Sequence, residues 1–169
     1  MAQRAITAIL LVGAMGLAAC SNSARFGNGA GAGGAGGYGM GGDAQNPNSP
    51  AYFQTAIGDR VLFPIDQSSL TAEARTTLDG QASWMNTNTG YSATIEGHAD
   101  EQGTREYNLA LGARRANSVQ EYLISRGVAG HRLDTVSYGK ERPLEICSEE
   151  ACYAKNRRAV TVLRAGAGS

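Results

Sequence analysis

The sequence predicts a two-layer α/β sandwich, with helices packed on one face of a small mixed sheet. Three observations carry that expectation. Segments with the two-residue alternation of strands take turns with segments of helical period. One helical segment, Thr104 to Arg126, is long enough to cover a sheet. All of these segments follow a glycine-rich stretch with too little side chain to build a core.

Asp59 to Ile65 reads as the first strand, with Val61, Phe63 and Ile65 on one face. Pro64 removes a ladder donor, so this strand lies at an edge or ends there. A helix follows from Leu70-Thr71, with Thr71 as N-cap and Glu73 in the first turn, favourably placed against the helix dipole. Its stripe is Ala74, Leu78, Ala82 and Met85, and Asn86 to Gly90 stops it. Tyr91 to His98 sets Ala93, Ile95 and Gly97 on one face against Thr94, Glu96 and His98 on the other, the pattern of a strand. The long helix is closed by Gly127. Arg132 to Tyr138 and Arg157 to Arg164 read as two further strands, with a helical turn over Glu149 to Lys155 between them.

The chain has 169 residues, enough for one domain with tails. Its 15 basic and 15 acidic residues cancel, which argues against a nucleic-acid partner, since that requires a basic excess to neutralise phosphates. The 23 glycines are concentrated: ten of the sixteen residues from Gly27 to Gly42 are glycine, followed by Asn46-Pro47-Asn48-Ser49-Pro50. Such a stretch is expected to be a flexible leash averaging about 30 Å end to end and reaching about 100 Å when stretched. Gly31, Gly33 and Gly36 have the spacing of a dinucleotide loop but lack the preceding strand and following helix that such a loop needs.

Met1 to Cys20 has a basic start at Arg4, an apolar run from Ile6 to Leu17, and then Leu17-Ala18-Ala19-Cys20. The run is too short to span a bilayer, which takes about 20 helical residues, and it fits a secretory leader. Leu-Ala-Ala-Cys resembles the bacterial lipobox, in which the cysteine thiol is acylated and becomes the first mature residue. An ordinary leader with a cysteine beside its cut is the alternative. The resemblance implies an outer-membrane anchor, since Ser21 is not the aspartate that commonly retains lipoproteins at the inner membrane. The expected organisation is a leader over 1–19, a lipidated start and tether over 20–50, and a folded domain over 51–169.

On the long helix, Leu109, Gly112, Ala113, Ala116, Val119 and Leu123 form a stripe suited to close packing on a sheet. Beside it, Thr104, Asn108, Leu111 and Arg115 form a second stripe, at spacings of four, three and four. Asp100 precedes the helix, in the loop after a strand, where open α/β layers place ligands. Asp100 and Arg115 facing one cavity would suit a zwitterion, the carboxylate taking an ammonium and the guanidinium gripping a carboxylate. On spacing alone, an internal Asp–Arg ion pair on a solvated face accounts for them somewhat better.

The run from Gly97 to Ala116, GHADEQGTREYNLALGARRA, resembles the signature of OmpA-like peptidoglycan-binding domains. Ser137 to Pro143 and Lys155 to Val160 are similar to the same family, and the resemblance covers about residues 57–164. It implies a βαβαβ-type domain that binds the zwitterionic end of meso-diaminopimelate in uncrosslinked peptidoglycan stems. On matching positions, Asp100 would hold the diaminopimelate amine and Arg115 its carboxylate, with Thr104, Asn108 and Leu111 lining the pocket and Asp66 framing its edge. The family usually has an aromatic residue where this chain has Ile65. The lipoproteins of this family also bind the Tol system, chiefly TolB. That leaves a second reading, a protein-interaction module with a weak wall-binding pocket. The resemblance implies no enzyme activity, no cofactor and no metal.

Cys147 and Cys152 remain once Cys20 is assigned to lipid. In an oxidising compartment so close a pair is most simply a disulfide. Free thiols and a metal site are the alternatives, the latter short of ligands because only His131 lies nearby. A hydrolytic reading of His98, Asp100 and Glu101 meets the same shortage of a third ligand, and no G-x-S-x-G nucleophile turn occurs.

Overall fold

The computed structural model describes residues 44–166. The expected leader, the lipidation residue Cys20 and the tether up to residue 43 lie outside them. Among the described residues, one four-stranded sheet runs in the order β1-β4-β2-β3. Its strands are β1 (Arg60–Leu62), β2 (Tyr91–His98), β3 (Leu133–Gly139) and β4 (Arg158–Ala165). β2 and β3 are parallel, whereas β4 is antiparallel to both β1 and β2, which makes the sheet mixed.

Packing begins earlier in the chain than composition predicts. Ser49 caps a short helix α1 (Pro50–Tyr52) through Tyr52 N, with proline at its start. A wider π-type turn, Phe53–Gly58, continues it. Phe53 is buried with its ring edge on Trp84, 5.0 Å between centroids, and the Trp84 indole donates to Pro47 O at 2.7 Å. The proline-rich stretch therefore belongs in part to the domain. Nothing in its own composition signals this, because the anchoring group, Trp84, lies 37 positions away.

β1 is shorter than expected. It stops at Leu62 and pairs only with β4, so it is an edge strand, as Pro64 predicts. Val61 and Phe63 are buried, but Ile65 lies past the strand end and is 58% exposed. Helix α2 (Ala72–Thr87) starts as expected, with the Thr71 hydroxyl accepting from Ala74 N. Ala74, Leu78, Ala82 and Met85 all enter the core. Buried Gln81 ties this helix to the sheet, donating to Gly58 O at 2.7 Å and accepting from Thr161 Oγ1 at 2.8 Å.

Helix α3 (Arg105–Ser125) is capped by Thr104, whose hydroxyl accepts from Tyr107 N, and ends before Gly127, which sits at φ +94°. Its buried face is rotated from the expected stripe. Gly112, Ala116, Val119 and Leu123 pack inward as predicted, but Leu109 is 49% exposed, while Asn108, Leu111 and Arg115 are buried. The crossing with β2 explains the rotation. A Cβ on Gly97 would lie 1.8 Å from Gly112 O, and one on Gly112 would lie 2.4 Å from Ser137 Oγ. The helix sits with its backbone almost on the strand, which turns the neighbouring polar stripe into the layer between helix and sheet end. Helix α4 (Glu150–Asn156) precedes β4, and the Cys147–Cys152 disulfide closes the loop leading into it.

Candidate functional site

At one end of the sheet, the loop after β1, the loop after β2 and the first turns of α3 enclose a cleft of about 320 Å³. Ile65, Asp66, Asp100, Gln102, Gly103, Tyr107, Asn108 and Leu111 line it. Of the residues singled out in the sequence, Asp66, Asp100, Asn108 and Leu111 therefore share one hollow. Thr104 is exposed at the N-cap of α3, where its hydroxyl is engaged with Tyr107 N.

Each side chain is held for an identifiable reason. Asp66 has φ +59°, a left-handed conformation tolerated best by residues with short polar side chains, and it accepts a hydrogen bond from the Tyr107 hydroxyl. That bond raises the pKa of the phenol, so Tyr107 remains a donor. Asn108 is buried and donates to Gln102 O at 2.7 Å, which ties the Asp100 loop to α3. Asp100 Oδ1 accepts from Gln102 N at 3.2 Å, and Oδ2 accepts from Arg157 Nη1 at 3.1 Å.

Arg115 does not contribute to the cleft lining; it is fully buried behind it, at 0% exposure. Its Nε donates to Gln67 O at 2.8 Å, Nη1 to His98 O at 2.8 Å and Nη2 to Pro64 O at 3.2 Å, with the guanidinium carbon 5.2 Å from the Phe63 ring centroid. Pro64 and Gln67 flank Asp66, and His98 precedes Asp100 by two positions. A single guanidinium thus clasps the backbones of both carboxylate-bearing loops. Burial lowers its pKa to about 10, against the nearby Asp100, so it stays charged at neutral pH. A guanidinium has five N–H donors, and one hydrogen on each terminal nitrogen lies outside these three bonds.

Arg157 is the main site residue that sequence reasoning misses. It is buried, donates to Asp100, Glu150 and Phe63 O, and also receives the Phe63 N–H on its own carbonyl. Burial opposes its charge, but the bonds to Glu150 and Asp100 prevail and its pKa is raised. No spacing rule links it to Asp100, 57 positions earlier. Tyr107 carried a usable signal: it stands three residues after Thr104 and four before Leu111, on the same helical stripe.

The chain belongs to the OmpA family, whose model matches residues 62–157. Its relatives include the peptidoglycan-associated lipoprotein of Rhizobium meliloti (strain 1021), 50% identical over 161 residues, 95% of this chain and 88% of that protein. The peptidoglycan-associated lipoprotein of Brucella melitensis biotype 1 is 47% identical over 98% of this chain and 95% of its own length. The crystal structure of the peptidoglycan-associated lipoprotein from Burkholderia pseudomallei matches with a TM-score of 0.64 at 36% identity, covering 72% of this chain and 98% of that one. The C-terminal domain of Helicobacter pylori MotB has the same fold, with a TM-score of 0.60 at 21% identity over 64% of this chain and 86% of its own.

Proposed function

We propose that the protein is an outer-membrane lipoprotein whose domain, over residues 51–169, binds peptidoglycan noncovalently and ties the membrane to the wall. The family, and relatives named peptidoglycan-associated lipoprotein at up to 50% identity, support the envelope role. The single observation that carries the site is the cleft itself: Asp66 and Asp100 line it, with a buried cation behind it. In this reading an ammonium meets the carboxylates and the ligand carboxylate is drawn by the Arg115 charge behind the cleft wall, which is the chemistry of a meso-diaminopimelate end. Thr104, Asn108 and Leu111 shape the space between them. Nothing in this division of charge calls for bond-making, and the function is recognition rather than catalysis. Anchoring by acylated Cys20, with residues 20–50 as the tether whose last few residues pack on the domain, completes the proposal, and TolB is the protein partner implied by the resemblance of the 97–116 run.

Retention of the purified domain by insoluble sacculi tests the site. Asp100→Asn is expected to weaken retention strongly, by roughly 2–5 kcal/mol, as for one member of a buried charged contact. Stems with amidated diaminopimelate should bind less well than free stems. Unchanged retention of Asp100→Asn, with equal affinity for both stems, would overturn the assignment.

A further inference from the structure

We propose that Glu150 is a positioning residue for the cleft: through Arg157, it sets both the orientation and the effective charge of Asp100. This rests on the proposed function only for the identity of the ligand. The geometry stands by itself. Arg157 is buried and faces two carboxylates at once, with Nη1 3.1 Å from Asp100 Oδ2 and Nη2 2.5 Å from Glu150 Oε1. Its Nε donates to Phe63 O at 3.3 Å, so the guanidinium plane is fixed by three elements: the end of β1, the loop after β2 and the start of α4.

A guanidinium committed to Asp100 alone would cancel the charge that an incoming ammonium needs. Shared with Glu150, it leaves Asp100 anchored while the group of three keeps one net negative charge. Glu150 itself is mostly exposed and is not one of the residues lining the cleft, so its influence travels through Arg157. The disulfide gives it a fixed base. Glu150 lies between Cys147 and Cys152 in a loop closed by the bridge, with a Cα–Cα distance of 6.1 Å. Asn156 pins the segment that enters this loop, accepting from Leu144 N and Glu145 N while donating to Glu101 Oε1 at 2.7 Å. The cystine loop therefore acts on a site that it does not touch.

The test compares Glu150→Gln and Glu150→Asp with the unaltered protein. Glu145→Gln is the control, since that carboxylate pairs with Lys155 instead. Two quantities are read: the affinity for a soluble tetrapeptide stem ending in a diaminopimelate-containing unit, and, without ligand, the NMR shift of the Gln102 amide that bonds Asp100. Groups coupled in one hydrogen-bonded network do not act independently. Glu150→Gln should accordingly weaken binding about 3- to 10-fold and move the Gln102 amide, with an unchanged melting temperature. Glu150→Asp should recover part of both effects, and Glu145→Gln should change neither. Opening the bridge by Cys147→Ser with Cys152→Ser should act in the same direction as Glu150→Gln. A Gln102 amide and an affinity that do not respond to Glu150→Gln would overturn the proposal. If the unaltered protein fails to bind the stem, the ligand assignment falls, and the Gln102 amide still decides the role of Glu150.

Discussion

His98 is buried at 1% exposure with neither ring nitrogen hydrogen-bonded; Nε2 lies 3.6 Å from Glu96, and the ring lies against Tyr138. Burial, helped by Arg158 and Arg142, lowers its pKa from 6.5 to about 4. The folded state therefore holds a neutral imidazole where the unfolded chain would take up a proton. The stabilising effect of that neutral burial is complete above pH 6.5 and is lost as the pH falls towards 4, because the unfolded state binds more protons across that window. Replacing His98 with glutamine should flatten the stability profile between pH 6.5 and 4. Urea midpoints measured across that range check it, with an expected difference in slope worth roughly 2–3 kcal/mol. Arg115 follows the opposite logic, since its buried charge is retained and compensated by carbonyl oxygens. Its truncation would strand those acceptors as well as remove a charge, so it tests the fold and the site together, whereas Asp100→Asn tests the site more cleanly.

At the scale of elements, the contact between α3 and β2 fixes the most. Gly97 and Gly112 meet backbone to backbone, and a methyl at position 112 would run into Ser137 Oγ and the Gly97 carbonyl. Gly112→Ala should gain helix propensity yet lose stability, by about 1–3 kcal/mol as an overpacked contact. Thermal melting checks the sign, and a stabilised variant would mean that the helix can lift without loss. This contact also marks the limit of what periodicity reveals. The caps at Thr71 and Thr104 and the inward residues of α2 were legible, because each rests on neighbours three or four positions away. Leu109 and Arg115 were not. An apolar Leu109 belongs to the inward stripe by spacing, but the close approach at Gly112 rolls the helix and gives that burial to Asn108 and Arg115. Asp66, Asp100, Asn108 and Leu111 could be named together from a resemblance to a long motif. The Asp100–Arg157–Glu150 group is made by strand order, which a single sequence does not encode locally.

For the whole molecule, the proposed role divides the chain into an anchor, a leash and a gripping domain. Cys20→Ser should release the protein from membranes on fractionation while leaving the domain's affinity for sacculi intact, because the site is built entirely within residues 63–157. Membrane retention of that variant would remove the anchor assignment. The order β1-β4-β2-β3 has a further consequence. β4, formed by residues 158–165, is the last strand in the described chain yet lies in the sheet interior, between β1 and β2. A growing polypeptide cannot join its first strand to its second until that final segment emerges, and Arg157, which braces Asp100, arrives only one residue ahead of it. An unfinished or clipped chain thus lacks both the interior strand and the brace on Asp100, so under the proposed role attachment to murein would be reserved for molecules synthesised to the end of that strand.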